Sequence, residues 1–347
     1  MAIFGFCSPL AAFWWSLVSS HLAGRASTGK LYWHKAFVSA LAGIRFHLHE
    51  PVLTTSILGN GLIYVPAVVT VSQAFEKWRP IALGIAASGS AVGGTILPIM
   101  FRRLTPELGF AWTNRIFSLL VFAISIFALV VLRPQVPRQP SRTRSPAELF
   151  DWSAFLDVPY LFLCGGLFLV ELGYWIPPFT ITQYVRQNIN GAEDYAFYIL
   201  AIMNGGGFAG RILPPLMTGI RGISPALILL GGCLSLGILV LCWLQIRDIV
   251  GITTWAILIG FMSGIAVSVP NSVLPKLATR NNEGARSGMM WTLVSFAALV
   301  GAPVAGMLAE DKTGIGRRGQ LFSGICICGG AAMLCVPAIH VARKKLD

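Results

Sequence analysis

Two ionised side chains stand inside long uncharged runs of this chain, and they have the most chemistry to offer. Arg211 interrupts the run from Tyr195 to Ile220, and Glu171 interrupts the run from Val158 to Val185. A guanidinium presents a planar fork that matches the two oxygens of a carboxylate. A carboxyl group in apolar surroundings can hold or release a proton, because burial and a nearby arginine pull its titration in opposite directions. A charge at membrane depth costs about 2.5–3.5 kcal/mol on insertion scales, so it turns toward a cavity, a partner or a nearby surface. Arg211 is therefore read as substrate-facing, or as an arginine reaching back to the helix end. Glu171 is read as a proton-coupling group, or as a structural partner of Arg211. At about 1.5 Å per residue, Glu171 lies ~20 Å from the start of its helix and Arg211 ~14 Å from the end of the next.

The uncharged polar groups Asn60, Tyr64, Tyr174, Trp175, Asn204 and Asn271 also fall inside apolar runs. They are candidates to line a substrate cavity; the alternative is interhelical hydrogen bonding or a place in the aromatic belts. Enzyme constellations are missing: there is no HExxH, no GxSxG and no pair of carboxylates within one run. The chain has 5 histidines and 7 cysteines, and none has a metal-binding partner set. No enzyme activity, metal or cofactor is expected.

Long apolar elements must position these groups. Of 347 residues, 55% are hydrophobic and 12% charged, against about 25% charged in an ordinary soluble domain. That is too little charge to give each helix a wet face, so lipid must be the solvent for most of the surface. The net charge of +12 does not point to nucleic acid, because the basic residues cluster between apolar runs instead of forming a stripe. The runs are Val52–Phe75, Pro80–Phe101, Ile116–Leu132, Val158–Val185, Tyr195–Ile220, Gly222–Ile246, Ile249–Pro275, Ser287–Ala309 and Gly319–Ala342. With a weaker stretch before Ser20 they predict about ten crossings, about nine if that stretch does not span. Without water in the bilayer core each run must be a helix. The expected fold is an all-α polytopic bundle in two pseudo-symmetric halves. Residues 1–132 make the first half, 133–157 a Pro-, Arg- and Ser-rich linker, and 158–347 the second half. Lys77, Arg79, the linker arginines, Lys276, Arg286 and Arg343 fall on one side, while acids nearly cancel bases on the other. The first side is read as cytoplasmic.

Small residues recur four apart: Gly84 with Ser88, Gly89 with Gly93, and Ser90 with Gly94. At that spacing two helix backbones can approach closely in lipid. Gly205, Gly206, Gly207 and Gly210 read the same way. A phosphate cradle is excluded, since no strand precedes the glycines and no Walker lysine follows.

The stretch from Gly59 to Phe117 resembles the monocarboxylate-transporter-like branch of the major facilitator superfamily in its fungal form. Gly59, Gly61 and Pro66 stand at the fixed places of its G-x-G-x-x-x-x-P span. Arg79, Ala82, Gly84, Ile85, Ala86, Ser88, Gly89, Ser90 and Gly93 fit its R-x-x-A-x-G-I-A-x-S-G-S-x-x-G span. Gly210 to Pro214 and Gly301 to Gly314 are similar to later spans of the same family, so the likeness covers roughly residues 52–342. The family has three spans before the G-x-G span, whereas about fifty residues precede it here and the acidic-Gly-Gly and Trp signature is absent. A first half shortened at its N-terminus is therefore expected. The resemblance implies a monomeric secondary or facilitative transporter, possible symport included, that moves a small organic anion such as a monocarboxylate through a central cavity. It makes Arg211 the counterpart of an arginine that binds the substrate carboxylate in mammalian relatives. Those relatives carry a proton-coupling aspartate where this chain has Gly207. Export of a fungal secondary metabolite, a non-transporting binding or sensor protein, and an inactive truncated product are the alternatives. The plasma membrane is the default location, with a vacuolar or other organelle membrane as the alternative.

Overall fold

The computed structural model describes residues 71, 75, 78–131, 151–189, 191, 195–220, 223–279, 282–308 and 316–343. The candidates Asn60 and Tyr64, and the run Val52–Phe75 apart from two residues, lie outside the described set. Every regular element among the described residues is helical, as the apolar runs require. We label the helices α1 (Arg79–Val131), α2 (Val158–Tyr174), α3 (Ile176–Asn188), α4 (Tyr195–Ile220), α5 (Pro225–Cys242), α6 (Ile249–Ser268), α7 (Pro270–Leu277), α8 (Glu283–Met307), α9 (Arg317–Met333) and α10 (Cys335–Arg343).

Local sequence explains the boundaries. Proline opens α2, α5 and α7 at their first turns, where a missing backbone N–H leaves no bond unmade. Asp248 caps α6 by accepting from the Gly251 N–H at 2.7 Å. Gly109 sits at φ 77° inside α1 and breaks it into two arms. Only glycine takes that conformation without strain. The uncharged runs break off at Phe101 and resume at Ile116, a gap long enough for a loop. Instead, the chain stays helical to Leu108 and turns on the single residue Gly109.

Among the described residues, six stretches are long and apolar enough to cross a membrane: Arg79–Ile124, Val158–Asn188, Tyr195–Thr218, Pro225–Gln245, Ile249–Leu277 and Arg317–Arg343. The first has 46 residues, about 69 Å of helix at 1.5 Å per residue and twice a ~30 Å hydrocarbon core. It therefore provides one crossing on each side of Gly109. α8 has 25 residues, the length to cross, and no charged residue between Ser287 and Met307.

The core among the described residues lies where α9 packs on α2 and α5, α8 on α2, and α6 on α4 and α5. At one end Trp243 is fully buried, 4.9 Å from the Trp255 ring and 5.1 Å from the Tyr184 ring. Tyr184 donates to the Ile246 carbonyl at 2.7 Å and Trp255 to the Leu239 carbonyl at 2.6 Å. Outside, Ile85, Phe110, Phe127, Ile238 and Ile325 are exposed, which lipid tolerates and water would not.

At the other end, the last residues of the linker are ordered rather than loose. Trp152–Leu156 forms a 3-10 turn held to the start of α8. Arg286 Nε donates to Asp151 at 2.8 Å, and its Nη1 donates to Asp157 at 2.5 Å and to the Leu277 carbonyl at 2.7 Å. Asn282 donates to Asp151 at 2.8 Å. Arg286 also lies over the Tyr160 ring at 5.2 Å, and Tyr160 donates to the Arg286 carbonyl at 2.7 Å. Burial works to raise the Asp151 carboxyl, but bonds from Arg286, Ser153 and Asn282 and the Arg286 charge outweigh it, so Asp151 titrates below the ordinary carboxylate range. A depressed carboxyl stabilises the fold at neutral pH and loses that contribution as pH falls through its native pKa. We expect acidification to lower the thermal stability of the detergent-solubilised protein more than that of Asp151→Asn. Parallel pH–stability curves would refute the assignment.

Candidate functional site

The site is built around α4, which uses two faces. One packs on α6 with almost nothing between the backbones. A Cβ at Gly206, Gly210 or Gly260 would strike the carbonyls of Ile257, Phe261 or Met203 respectively, and one at Gly264 would come within 2.8 Å of the Arg211 nitrogen. The glycines are what bring α6 against Arg211. The other face meets α1 in an antiparallel seam. Gly84 faces the Arg211 carbonyl and Pro215, and Gly94 lies at Asn204. Thr95 donates to the Ala201 carbonyl at 3.4 Å. Arg102 lies over the Phe197 and Tyr198 rings at 5.1 and 5.4 Å.

Arg211 is 7% exposed, in the middle third of α4. Its guanidinium crosses over Gly207, where an added Cβ would sit 3.0 Å from Nη1. Tyr174, at the end of α2, is within electrostatic reach of both Arg211 and Glu171, and its hydroxyl lies toward Ser263 of α6. Ser263 in turn donates to the Gly260 carbonyl at 2.8 Å. Glu171 is 4% exposed, beside the Trp175 indole and Cys233. Trp175 is the residue at which α2 gives way to α3. The Trp175 Nε1 is buried and turned to Glu171 without a well-formed hydrogen bond.

Three helices thus bring Arg211, Tyr174, Ser263 and Glu171 into one interior region, with a cation, a carboxyl and two hydroxyls. This set can hold an anion and exchange a proton. The expected direct pair between Glu171 and Arg211 is not among the ion pairs of the described residues; Tyr174 is the group that senses both. Ser263 went unnoticed in the sequence because a serine in an apolar run resembles any other small packing residue.

The other candidates fall elsewhere. Asn204 donates to the Gly94 carbonyl at 3.3 Å, across the α1–α4 seam, and to the Leu200 carbonyl at 2.9 Å one turn back on α4, so its amide serves helix packing. Asn271 accepts from Trp291 Nε1 at 3.0 Å and ties α7 to α8. Ser88 is buried and donates to the Ile85 carbonyl at 2.7 Å. Gly84 and Gly210 lie in tight helix contacts, whereas Gly89 meets nothing within 4 Å and Gly93 only Leu97, 3.9 Å away on its own helix. No cluster of three or more metal-ligating side chains occurs among the described residues.

The family profile of the Major Facilitator Superfamily matches residues 1–302. The chain belongs to the major facilitator superfamily. Among curated relatives of this major facilitator protein is the agnestins efflux protein of Paecilomyces divaricatus, 29% identical over 289 residues, covering 83% of this chain and 65% of the relative. The aspyridones efflux protein of Emericella nidulans is 30% identical over 306 residues, covering 85% and 61%. An MFS-type transporter of Aspergillus niger is 30% identical over 312 residues, covering 86% and 68%. The chain spans under two thirds of the length of the first two. The human organic anion transporter MFSD10 (TETRAN) superposes with a TM-score of 0.70 at 14% identity, over 98% of this chain and 82% of its own. FucP in its outward conformation gives 0.67 at 14% identity, over 98% and 88%. These structures fix the fold as the helical major facilitator bundle. Family and fold set this multi-pass membrane protein among transporters and apart from enzymes.

A smaller change tests the interior cluster. Tyr174→Phe keeps the ring and removes the hydroxyl that lies toward Ser263, at a stability cost of at most about 1 kcal/mol. We expect a near-normal melting temperature with a several-fold loss of solute flux in proteoliposomes. Unchanged flux would leave Tyr174 a packing residue.

Proposed function

We propose that this chain is a secondary transporter that moves a small organic solute bearing an anionic group, by alternating access to the interior cluster. One observation carries the reading: Arg211, held at membrane depth by the glycine contacts of α4 and α6, faces the same region as Tyr174, Ser263 and Glu171. Arg211 binds the anionic group, the two hydroxyls orient it, and Glu171 carries the coupled proton. The monocarboxylate-transporter-like branch is supported by the Gly59–Phe117 motifs, and it makes a carboxylate the preferred anion. A monomer in the plasma membrane, with the linker on the cytoplasmic side, completes the reading.

A second reading shares the site and changes the cargo. The relatives are named for the efflux of agnestins and aspyridones, which supports export of a fungal secondary metabolite with an acidic group. The test is flux in proteoliposomes holding the full chain, with lactate and benzoate as first probes and an imposed pH gradient. Accumulation driven by the gradient and lost in Glu171→Gln is expected, with exchange of solute retained in that variant. Absence of flux of any organic acid in the unaltered protein would overturn transport. Gradient-driven flux surviving in Glu171→Gln would remove only the proton role.

A further inference from the structure

The 3-10 turn Trp152–Leu156 has two contrasting sides. Ala154 is fully buried, while Trp152 is 70%, Phe155 50% and Leu156 86% exposed. Three large apolar side chains exposed on one short turn are costly in water. This turn is not floating: Asp151 before it and Asp157 after it are both bound by Arg286. The clamp fixes the turn at the mouth of α2, one residue before the Val158–Asn188 crossing begins. That depth is the boundary between head groups and acyl chains, where tryptophan and phenylalanine are at home.

We infer that Trp152, Phe155 and Leu156 form a membrane-surface anchor that inserts into the anionic leaflet on the linker side. The choice of occupant rests on position and charge. A soluble partner would have to compete with the lipid already at this depth. The chain leading in carries Arg133, Arg138, Arg142 and Arg144, with no acid before Glu148, which suits an anionic surface. Arg286 pairs with both carboxylates that flank the anchor and offsets half of their charge, which weakens their repulsion from that surface. The clamp also gives the anchor an outlet, because Glu283, one turn before Arg286 on α8, pairs with Arg79 of α1 at 3.3 Å.

The test compares Trp152 with the other tryptophans of the full chain reconstituted in brominated phosphatidylcholine, with and without phosphatidylserine. Subtracting the emission of Trp152→Phe isolates the Trp152 signal. We expect that signal to be blue-shifted, to be quenched roughly twofold more than the mean of the remaining tryptophans, and to be quenched further with phosphatidylserine. Phe155→Ser combined with Leu156→Ser should reduce the quenching with the helix content unchanged. Arg286→Gln, or Asp151→Asn with Asp157→Asn where the first variant fails to fold, should do the same by freeing the turn. A red-shifted, unquenched Trp152 overturns the anchor. Quenching indifferent to phosphatidylserine overturns the anionic assignment.

Discussion

Replacing Arg211 with alanine is expected to reduce transport of an organic acid by one to two orders of magnitude while leaving the protein folded. A hydrogen bond to a charged group is worth about 1.5–3 kcal/mol, and each ~1.4 kcal/mol is tenfold in affinity. The loss should appear in the apparent KM, because an arginine that binds the anion in the resting state contributes uniform binding. Arg211→Lys should recover only part of it: lysine restores the charge but not the planar fork. The removed side chain also relieves α4 of a buried cation, at 7% exposure, so the melting temperature should hold or rise. Flux and KM unchanged in Arg211→Ala would return the residue to a structural role. A protein that no longer folds would instead show that Arg211 supports α4 itself.

The largest effect on stability is expected at Gly210. A Cβ built there overlaps the carbonyl of Phe261, and that neighbour is backbone, which cannot rotate away. Gly210→Val should therefore push α6 off α4. Overpacking a well-packed site costs about 1–3 kcal/mol and occasionally more, and two further contacts, Gly206 on Ile257 and Gly260 on Met203, would be strained by the same displacement. We expect aggregation, or a melting temperature lowered by several degrees in detergent. Gly89→Val is the control, since nothing lies within 4 Å of that position; it should melt like the unaltered chain. Equal behaviour of the two variants would show that the α4–α6 contact is looser than the geometry requires.

The comparison of these two glycines marks where sequence reading succeeds and where it stops. Uncharged runs identify the helices, since water exclusion acts on average composition and needs no partner. The same logic singles out Arg211 and Glu171, because a charge in such a run is conspicuous. Spacing alone treats Gly84, Gly89, Gly93 and Gly210 alike. Only the folded chain shows that Gly84 and Gly210 receive a neighbouring backbone and that Gly89 does not. Asn204 and Asn271 look like cavity groups for the same reason; their partners, the Gly94 carbonyl and Trp291, are 110 and 20 positions away respectively in the chain and carry no mark of the pairing. Arg286 was legible only as one of several loop cations. Its role as a clamp depends on Asp151 and Asp157, which reach it from the far end of the linker.

The first arm of α1 is held by two unlike fastenings, one to α8 and one to α4. At the linker end, Arg79 and Glu283 face each other 3.3 Å apart with about a fifth of each side chain open to solvent. At the opposite end, Arg102 rests on two aromatic rings. Mobile ions weaken the first strongly, since the Debye length is about 8 Å at physiological ionic strength, and weaken the stacked arginine less. Raising salt on one side would then loosen α1 from α8 at that end alone, so that this arm would swing as a jackknife blade does, pivoting about Arg102 on α4.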